Sequence, residues 1–255
     1  MTHPLNALPP CYPELRGRRV VVTGGASGIG LATARRFVAE GGRVVLLDRD
    51  EARFAGLERE VPGLAGCVAV DVSSADAMAA AFRRVDELLG GVDVVIANAG
   101  VSFRTPFAEI DDAQWAAVIG TNLTGAFLTA REAVRRMSAQ GSGILLFTAS
   151  TNGLRGHPNY ADYNASKAGV MLLMRTIALE VAPAIRVNAV NPGYVLTPMQ
   201  EREYTTEQLA QVNEAIPLGR HARPEEVAAL YAFLASDQGA YFTGTSIDLD
   251  GGENA

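Results

Sequence analysis

The chain reads as an α/β protein with a doubly wound, seven-stranded parallel sheet flanked by helices in a single domain. Three observations lead there. Short β-branched runs alternate with helix-forming segments from about residue 19 to residue 249. The runs are apolar at successive positions, as strands covered on both faces require. No linker, low-complexity tract or fixed-period repeat interrupts the rhythm, and 255 residues suit one large core.

In chain order, prolines at positions 4, 9, 10 and 13 forbid regular structure near the N-terminus, so residues 1–17 are expected to form an irregular arm. The domain itself is expected over 18–255. Strands are expected at 20–22, 44–47, 68–70, 92–96, 144–147, 185–190 and 245–249. Helices are expected at 29–40, 51–61, 75–89, 113–140, 163–182 and 225–235. Strand–helix alternation implies crossover connections, and crossovers make the sheet parallel. A polar, charged segment at 198–216 stands between the sixth strand and the last helix.

Bulk composition excludes several classes of partner. The net charge of −6 argues against nucleic acid or an anionic membrane, both of which call for a basic face. No apolar run approaches a membrane span, and no basic start precedes an apolar block, so no anchor or secretory signal is expected. Cys11 and Cys67 form no CxxC, and His3, His157 and His221 are scattered, so neither a disulfide framework nor a metal site is expected. A reducing cytoplasm is the natural setting.

The first turn reads Thr23-Gly24-Gly25-Ala26-Ser27-Gly28-Ile29-Gly30, after a strand and at the start of a helix. In that context the glycines let the backbone approach a pyrophosphate, whose charge the helix N-terminus stabilises. The fold is then Rossmann-like, although the spacing is TGxxxGxG and not GxGxxG. Asp48 closes the second strand where a carboxylate would accept hydrogen bonds from an adenosine ribose and repel a 2′-phosphate, which favours NAD over NADP. Arg49 beside it could pair with that phosphate. Asp71 and Val72, ending the third strand, could flank the adenine.

A second stretch, from Ser150 to Lys167, gathers a hydroxyl, the phenols of Tyr160 and Tyr163 and an amine. Tyr163 and Lys167 are four apart, so on a helix they share one face. A phenol ordinarily titrates near pH 10, and a nearby ammonium favours the phenolate by about 1.4 kcal/mol per unit of pKa. The pair is therefore a plausible acid/base for an alcohol or carbonyl oxygen, with Ser150 holding that oxygen. Alone, the same spacing equally describes an amphipathic helix with a solvated lysine.

The motif at 23–30, Asn98-Ala99-Gly100 after the fourth strand, Asn122, Ser150, Tyr163 and Lys167 together resemble the short-chain dehydrogenase/reductase family, in its shorter single-domain branch. The resemblance covers about residues 18–252. It implies that Tyr163 is the acid/base, that Lys167 lowers its pKa and holds the nicotinamide ribose, and that Ser150 orients the substrate oxygen. Thr148 and Thr151 are the substitutes for Ser150, since the family often has paired serines where this chain has Ala149-Ser150. Asn122 would anchor a proton-relaying water, and an asparagine within a helix makes a local kink credible. Thr23, Gly24, Ser27, Gly28, Ile29 and Gly30 would meet the dinucleotide. Asn98, Ala99 and Gly100 would line it, and Pro192, Gly193, Val195 and Thr197 would cradle its nicotinamide. A substrate lid is implied at about 194–220.

The implied activity is NAD-dependent interconversion of a secondary alcohol and its ketone. The polar loop at 152–160 offers Asn152, His157, Asn159 and Tyr160 as substrate contacts, which suits a polyol or sugar better than a steroid. A 3-oxoacyl-thioester reductase using NADPH is the alternative, and a dinucleotide-binding protein without activity is a second. The resemblance also implies a homotetramer, with a dimer as the alternative, joined through the two long central helices. The tail after the family's Asp-Gly-Gly is short, so no arm is expected to reach a neighbour's site.

Overall fold

Strand β1 (Arg19–Thr23) is the centre of the molecule, and each of its residues from Val20 to Thr23 is buried. The structure, a computed structural model, describes residues 11–255. The other strands are β2 (Arg43–Asp48), β3 (Gly66–Ala69), β4 (Val94–Ala97), β5 (Gly143–Thr148), β6 (Ile185–Pro192) and β7 (Ser246–Leu249). They form one seven-stranded sheet in the order β3-β2-β1-β4-β5-β6-β7, with every pairing parallel. The helices are α1 (Gly28–Ala39), α2 (Phe54–Glu60), α3 (Ala75–Leu89), α4 (Asp112–Ile119), α5 (Gly125–Gln140), α6 (Ala161–Val181), α7 (Pro198–Glu203), α8 (Thr206–Ala215) and α9 (Pro224–Ala235).

Successive residues of one strand serve opposite cores, which is why the strands are apolar throughout. Val21, Val45 and Val95 pack with Phe82 of α3, Met137 of α5 and Met174 of α6. Val20, Val22 and Ile96 pack on the other face with Phe37 of α1, Leu57 of α2 and Tyr231 of α9. Chain order reverses direction between β1 and β4. Outside the C-terminal ends of strands at such a reversal lies the crevice where open α/β sheets bind ligands.

Four expectations need correction. The arm is not wholly irregular, because Pro13–Leu15 form a 3₁₀ turn and Leu15 is fully buried against α1's side of the sheet. The remainder of that expectation, residues 1–10, lies outside the described residues. The helix expected at 51–61 begins as a 3₁₀ turn, Glu51–Arg53, before α2. The helix expected at 113–140 is two helices joined by a π-helical turn, Gly120–Thr124, which contains Asn122. Finally, 198–216 holds α7 and α8, the latter opened by a Thr205–Gln208 capping box.

One carboxylate, besides the buried Leu15, helps attach the arm. Glu40 is 2 % exposed; its Oε2 accepts the backbone N–H groups of Cys11 (2.9 Å) and Tyr12 (3.0 Å). Its Oε1 lies 2.7 Å from the Arg36 guanidinium, one helical turn back. Replacing Glu40 by Ala should leave two amides and a largely buried cation unpaired, lowering unfolding stability by about 2–4 kcal/mol. Urea unfolding of Glu40→Ala against the parent checks this, and a change below about 0.5 kcal/mol would contradict it.

Candidate active site

The glycine turn is built by contacts that leave no room for side chains. A Cβ on Gly30 would sit 2.1 Å from the Gly24 carbonyl oxygen, and one on Gly24, whose φ is +63°, would sit 2.8 Å from the Ala99 Cα. Gly28, with φ +50°, opens α1, and a Cβ on it would sit 3.4 Å from the Thr197 side chain. The Thr23 hydroxyl accepts the N–H groups of Asn98 (2.9 Å) and Ala99 (3.1 Å). The Asn98 amide in turn donates to the carbonyls of Thr23 (3.0 Å) and Gly24 (3.2 Å). Asp48 accepts from the Ala26 N–H at 2.9 Å and the Asp50 N–H at 3.0 Å, so its carboxylate is oriented against the turn. Asp71 accepts from the backbone and hydroxyl of Ser73, and those bonds hold its carboxyl below the usual range.

Tyr163 and Lys167 lie one turn apart on α6, with the Lys167 Nζ 5.5 Å from the centre of the Tyr163 ring. Lys167 is 3 % exposed and donates to the Thr148 carbonyl at 2.8 Å. Ser150 is buried at the end of β5, its hydroxyl bonded to the Asn152 N–H (3.2 Å) and within hydrogen-bond reach of the Tyr163 phenol. Asn122 is also buried. Its Oδ1 accepts from the Val101 N–H (2.8 Å), and its amide donates to the Val101 carbonyl (2.9 Å) and the Ser166 hydroxyl (3.0 Å). Both amide hydrogens are thus committed, and the π-turn, rather than a regular helix, is what aims them.

The electrostatics correct one sequence expectation. Burial pushes the Tyr163 phenol up to about 12, opposed by the Ser150 hydrogen bond and reinforced by the nearby Glu203 carboxylate. Burial also brings Lys167 down to about 8. In the chain by itself, desolvation outweighs the Ser150 hydrogen bond, and the phenol is less acidic than in water rather than more.

These groups share one cleft of about 870 Å³. Gly24, Ser27, Gly28 and Ile29 line it at one end with Asp48, Asp71 and Val72, and Asn98, Ala99 and Gly100 line its floor. Tyr163 and Lys167 line the other end, and Thr197 lines the cleft beside Gly28. Thr23, Gly30, Asn122, Ser150, Pro192, Gly193 and Val195 are not among its lining residues. The dinucleotide's requirements fit what is present, because side-chain-free backbone at Gly24 and Gly28 lines the groove where α1 begins, and the first-turn N–H groups of a helix have no partner within it.

None of Asn152, His157, Asn159 and Tyr160 lines the cleft. Asn152 bonds Asn164 (2.8 Å), and Asn159 adopts a left-handed φ of 69° while its carbonyl accepts from the Thr105 N–H (2.9 Å). Burial lowers the His157 pKa. Tyr160 is 8 % exposed; its hydroxyl donates to Glu203 (2.9 Å) and meets that of Tyr204 (3.0 Å). The wall near Tyr163 comes instead from Phe103, Arg104, Thr105 and Gln114 after β4 and from Met199, Arg202 and Glu203 on α7. Thr105 donates to Gln114 (3.0 Å), and Gln114 to the buried Asp162 (2.8 Å) beside Tyr163. No short motif announces these residues. For Phe103, Arg104, Thr105 and Gln114 the one signal is position, following Asn98-Ala99-Gly100 after β4, whereas Met199, Arg202 and Glu203 fall inside the lid expected at 194–220.

A family model described as enoyl-(acyl carrier protein) reductase matches residues 24–254. The chain is 42% identical over 242 residues to the cis-4-hydroxycyclohexanecarboxylate dehydrogenase of Sinomonas cyclohexanicum, covering 93% of this chain and 97% of that protein. It is 40% identical over 249 residues to 3beta-hydroxysteroid dehydrogenase 1 of Eggerthella lenta, covering 94% and 95%. Among solved structures, 3-ketoacyl-(acyl-carrier-protein) reductase from Brucella melitensis complexed with NADH superposes with a TM-score of 0.89 at 32% identity, covering 94% of this chain and 100% of that one. With the turn, the sheet order and near-full-length similarity in agreement, the chain belongs to the short-chain dehydrogenase/reductase family, enzymes that bind a nicotinamide dinucleotide and act on hydroxyl or keto groups.

Proposed function

We propose that this enzyme uses NAD to interconvert a secondary alcohol on a hydroxylated or ring skeleton and its ketone, with Tyr163 moving the proton. One observation carries the reading: the Tyr163 phenol, within reach of Ser150 and one turn from Lys167, lies in the same cleft as the glycine turn. The names of the two relatives both put the reacting hydroxyl on a ring, which supports a ring alcohol alongside a polyol or sugar.

A bound dinucleotide supplies the hydride acceptor or donor. The rest belongs to the chain. The turn at 23–30 and the start of α1 receive the pyrophosphate, Asp48 the adenosine ribose, Asp71 and Val72 the adenine, and Lys167 the nicotinamide ribose. Asn98, Ala99 and Gly100 form the floor, while Pro192, Gly193, Val195 and Thr197 shape the nicotinamide end. Ser150 and Tyr163 grip the substrate oxygen from two sides. In reduction, the protonated phenol gives its proton to the developing alkoxide. In oxidation, the phenolate must take it, and the Lys167 ammonium favours that form. Asn122 braces Val101 and Ser166 behind this pair. Residues 194–220, with α7 and α8, act as the lid.

The wall by Asp48 supports NAD, since its carboxylate is held in place by two amides and cannot swing away from a 2′-phosphate. The NADH complex of the Brucella enzyme supports the same preference. That enzyme's name also favours a second reading, a 3-oxoacyl-thioester reductase, for which rates with NADPH and a thioester would exceed those with NADH and a ring alcohol. Assembly into a homotetramer through α5 and α6 is part of the proposal, supported by Phe127, Leu172 and Leu179, which α5 and α6 leave exposed. No helix among the described residues is long and apolar enough to cross a membrane.

Two measurements test this. Tyr163→Phe should lower kcat by about 10²- to 10⁴-fold while NADH fluorescence titrations stay near the parent value. Since the phenol is raised to about 12, the basic form is scarce at neutral pH, so parent oxidation should climb with pH across the alkaline range whereas reduction should not. A mutant retaining most of its rate would overturn the assignment. Separately, Asp48→Ser should shift the NADH-to-NADPH ratio of kcat/KM at least about tenfold toward NADPH, read from paired initial rates.

A further inference from the structure

The chain is acidic overall, with 22 Lys and Arg against 28 Asp and Glu, yet four arginines line its one large cleft: Arg49, Arg53, Arg104 and Arg202. Among the described residues none of the four forms an ion pair, whereas Arg19, Arg36, Arg136 and Arg220 elsewhere all do. Arg49 and Arg53 share their end of the cleft with Asp48, Asp50 and Asp71, where the dinucleotide's adenosine belongs. Arg104 and Arg202 stand at the other end, on the loop after β4 and on α7.

Arg104 is held in place without being neutralised. Its guanidinium sits 5.6 Å from the centre of the Tyr204 ring. Tyr204 is fixed in turn by Tyr160 through their hydroxyls (3.0 Å) and by the edge of Tyr194 (6.3 Å). The Tyr160 ring lies edge-on, 6.3 Å from that of Tyr163, so two side chains, Tyr204 and Tyr160, connect the cation to the reacting phenol. The carboxylate nearest by is that of Glu203, but one of its oxygens accepts from Tyr160 and the other is shut away from solvent. The accessible charge on this wall is therefore positive, and its guanidinium fork matches a carboxylate.

We infer that the substrate carries a carboxylate several bonds from its reacting carbinol carbon, bound by Arg104 with Arg202 of α7. This rests on the reading of the chain as an alcohol dehydrogenase and deepens it from ring or polyol alcohols to hydroxy acids. Arg104 acts on selectivity, since it touches a group remote from the carbon that changes oxidation state. Binding energy gained there serves to seat the carbinol between Ser150 and Tyr163.

The test compares 4-hydroxycyclohexanecarboxylate, as both isomers, with its primary carboxamide and with cyclohexanol, using NAD and the full-length enzyme. The parent should prefer the acid over the amide by about ten- to a hundredfold in kcat/KM, and raising the salt from low to high should erode that preference. Arg104→Met should bring the ratio to near one, and Arg104→Lys should retain part of it. The ratio is measured within each enzyme, so partial loss of folded protein does not affect it, and NADH titration confirms the fold. A parent ratio near one, or a ratio that survives in Arg104→Met, overturns the inference while cyclohexanol turnover leaves the dehydrogenase reading standing. No turnover of any ring alcohol overturns both.

Discussion

Everything at the site depends on a hydrogen-bonded splice across the C-terminal tips of three strands. Thr23 of β1 accepts two amides from the segment after β4, and Asn98 returns its own amide to Thr23 and Gly24. Asn98 also accepts from the Thr148 hydroxyl of β5 at 3.0 Å, and the Thr148 carbonyl receives Lys167. The glycine turn and the buried lysine are thereby parts of one network. Parallel strands end in unpaired backbone groups, and here side chains satisfy those groups while fixing the floor of the cleft.

Burial then sets the chemistry. Lys167 sits in a place that disfavours its charge, and the Tyr163 phenol sits in one that disfavours its phenolate. A phenol kept protonated is a ready donor for carbonyl reduction. The reverse reaction needs added positive charge to release that proton, and a lysine with its ammonium anchored to a carbonyl is a fixed source of it. The same burial raises the stakes of every nearby polar contact, because an unpaired group in this wall has no water to turn to.

The walls differ from the floor in kind. The floor is main chain, glycine and asparagine, bonded internally, whereas the substrate-end walls are a loop and the short helix α7 carrying Phe103, Arg104, Met199 and Arg202. Such a division lets the hydride and proton machinery stay constant while charge and shape at the mouth choose the molecule. It also explains why relatives named for a hydroxysteroid and for a hydroxy acid can both resemble this chain so closely.

The sheet, its parallel sense, the glycine turn, Asp48 and the Tyr163–Lys167 pair were legible in the sequence, since each follows from local periodicity or from spacing within one element. Even the break at Asn122 was legible, because an asparagine amid helix formers points to a kink, though not to the π-turn that makes it. What the chain alone could not disclose were quantities that depend on several elements at once. The loop at 152–160 looked like a substrate mouth, yet Asn152, His157, Asn159 and Tyr160 are not among the residues lining the cleft, whereas Arg104 and Gln114, delivered by the chain after β4, are. The direction of the Tyr163 shift likewise reversed. A lysine four residues away is visible in any sequence, but the loss of water around a phenol is decided by what packs over it.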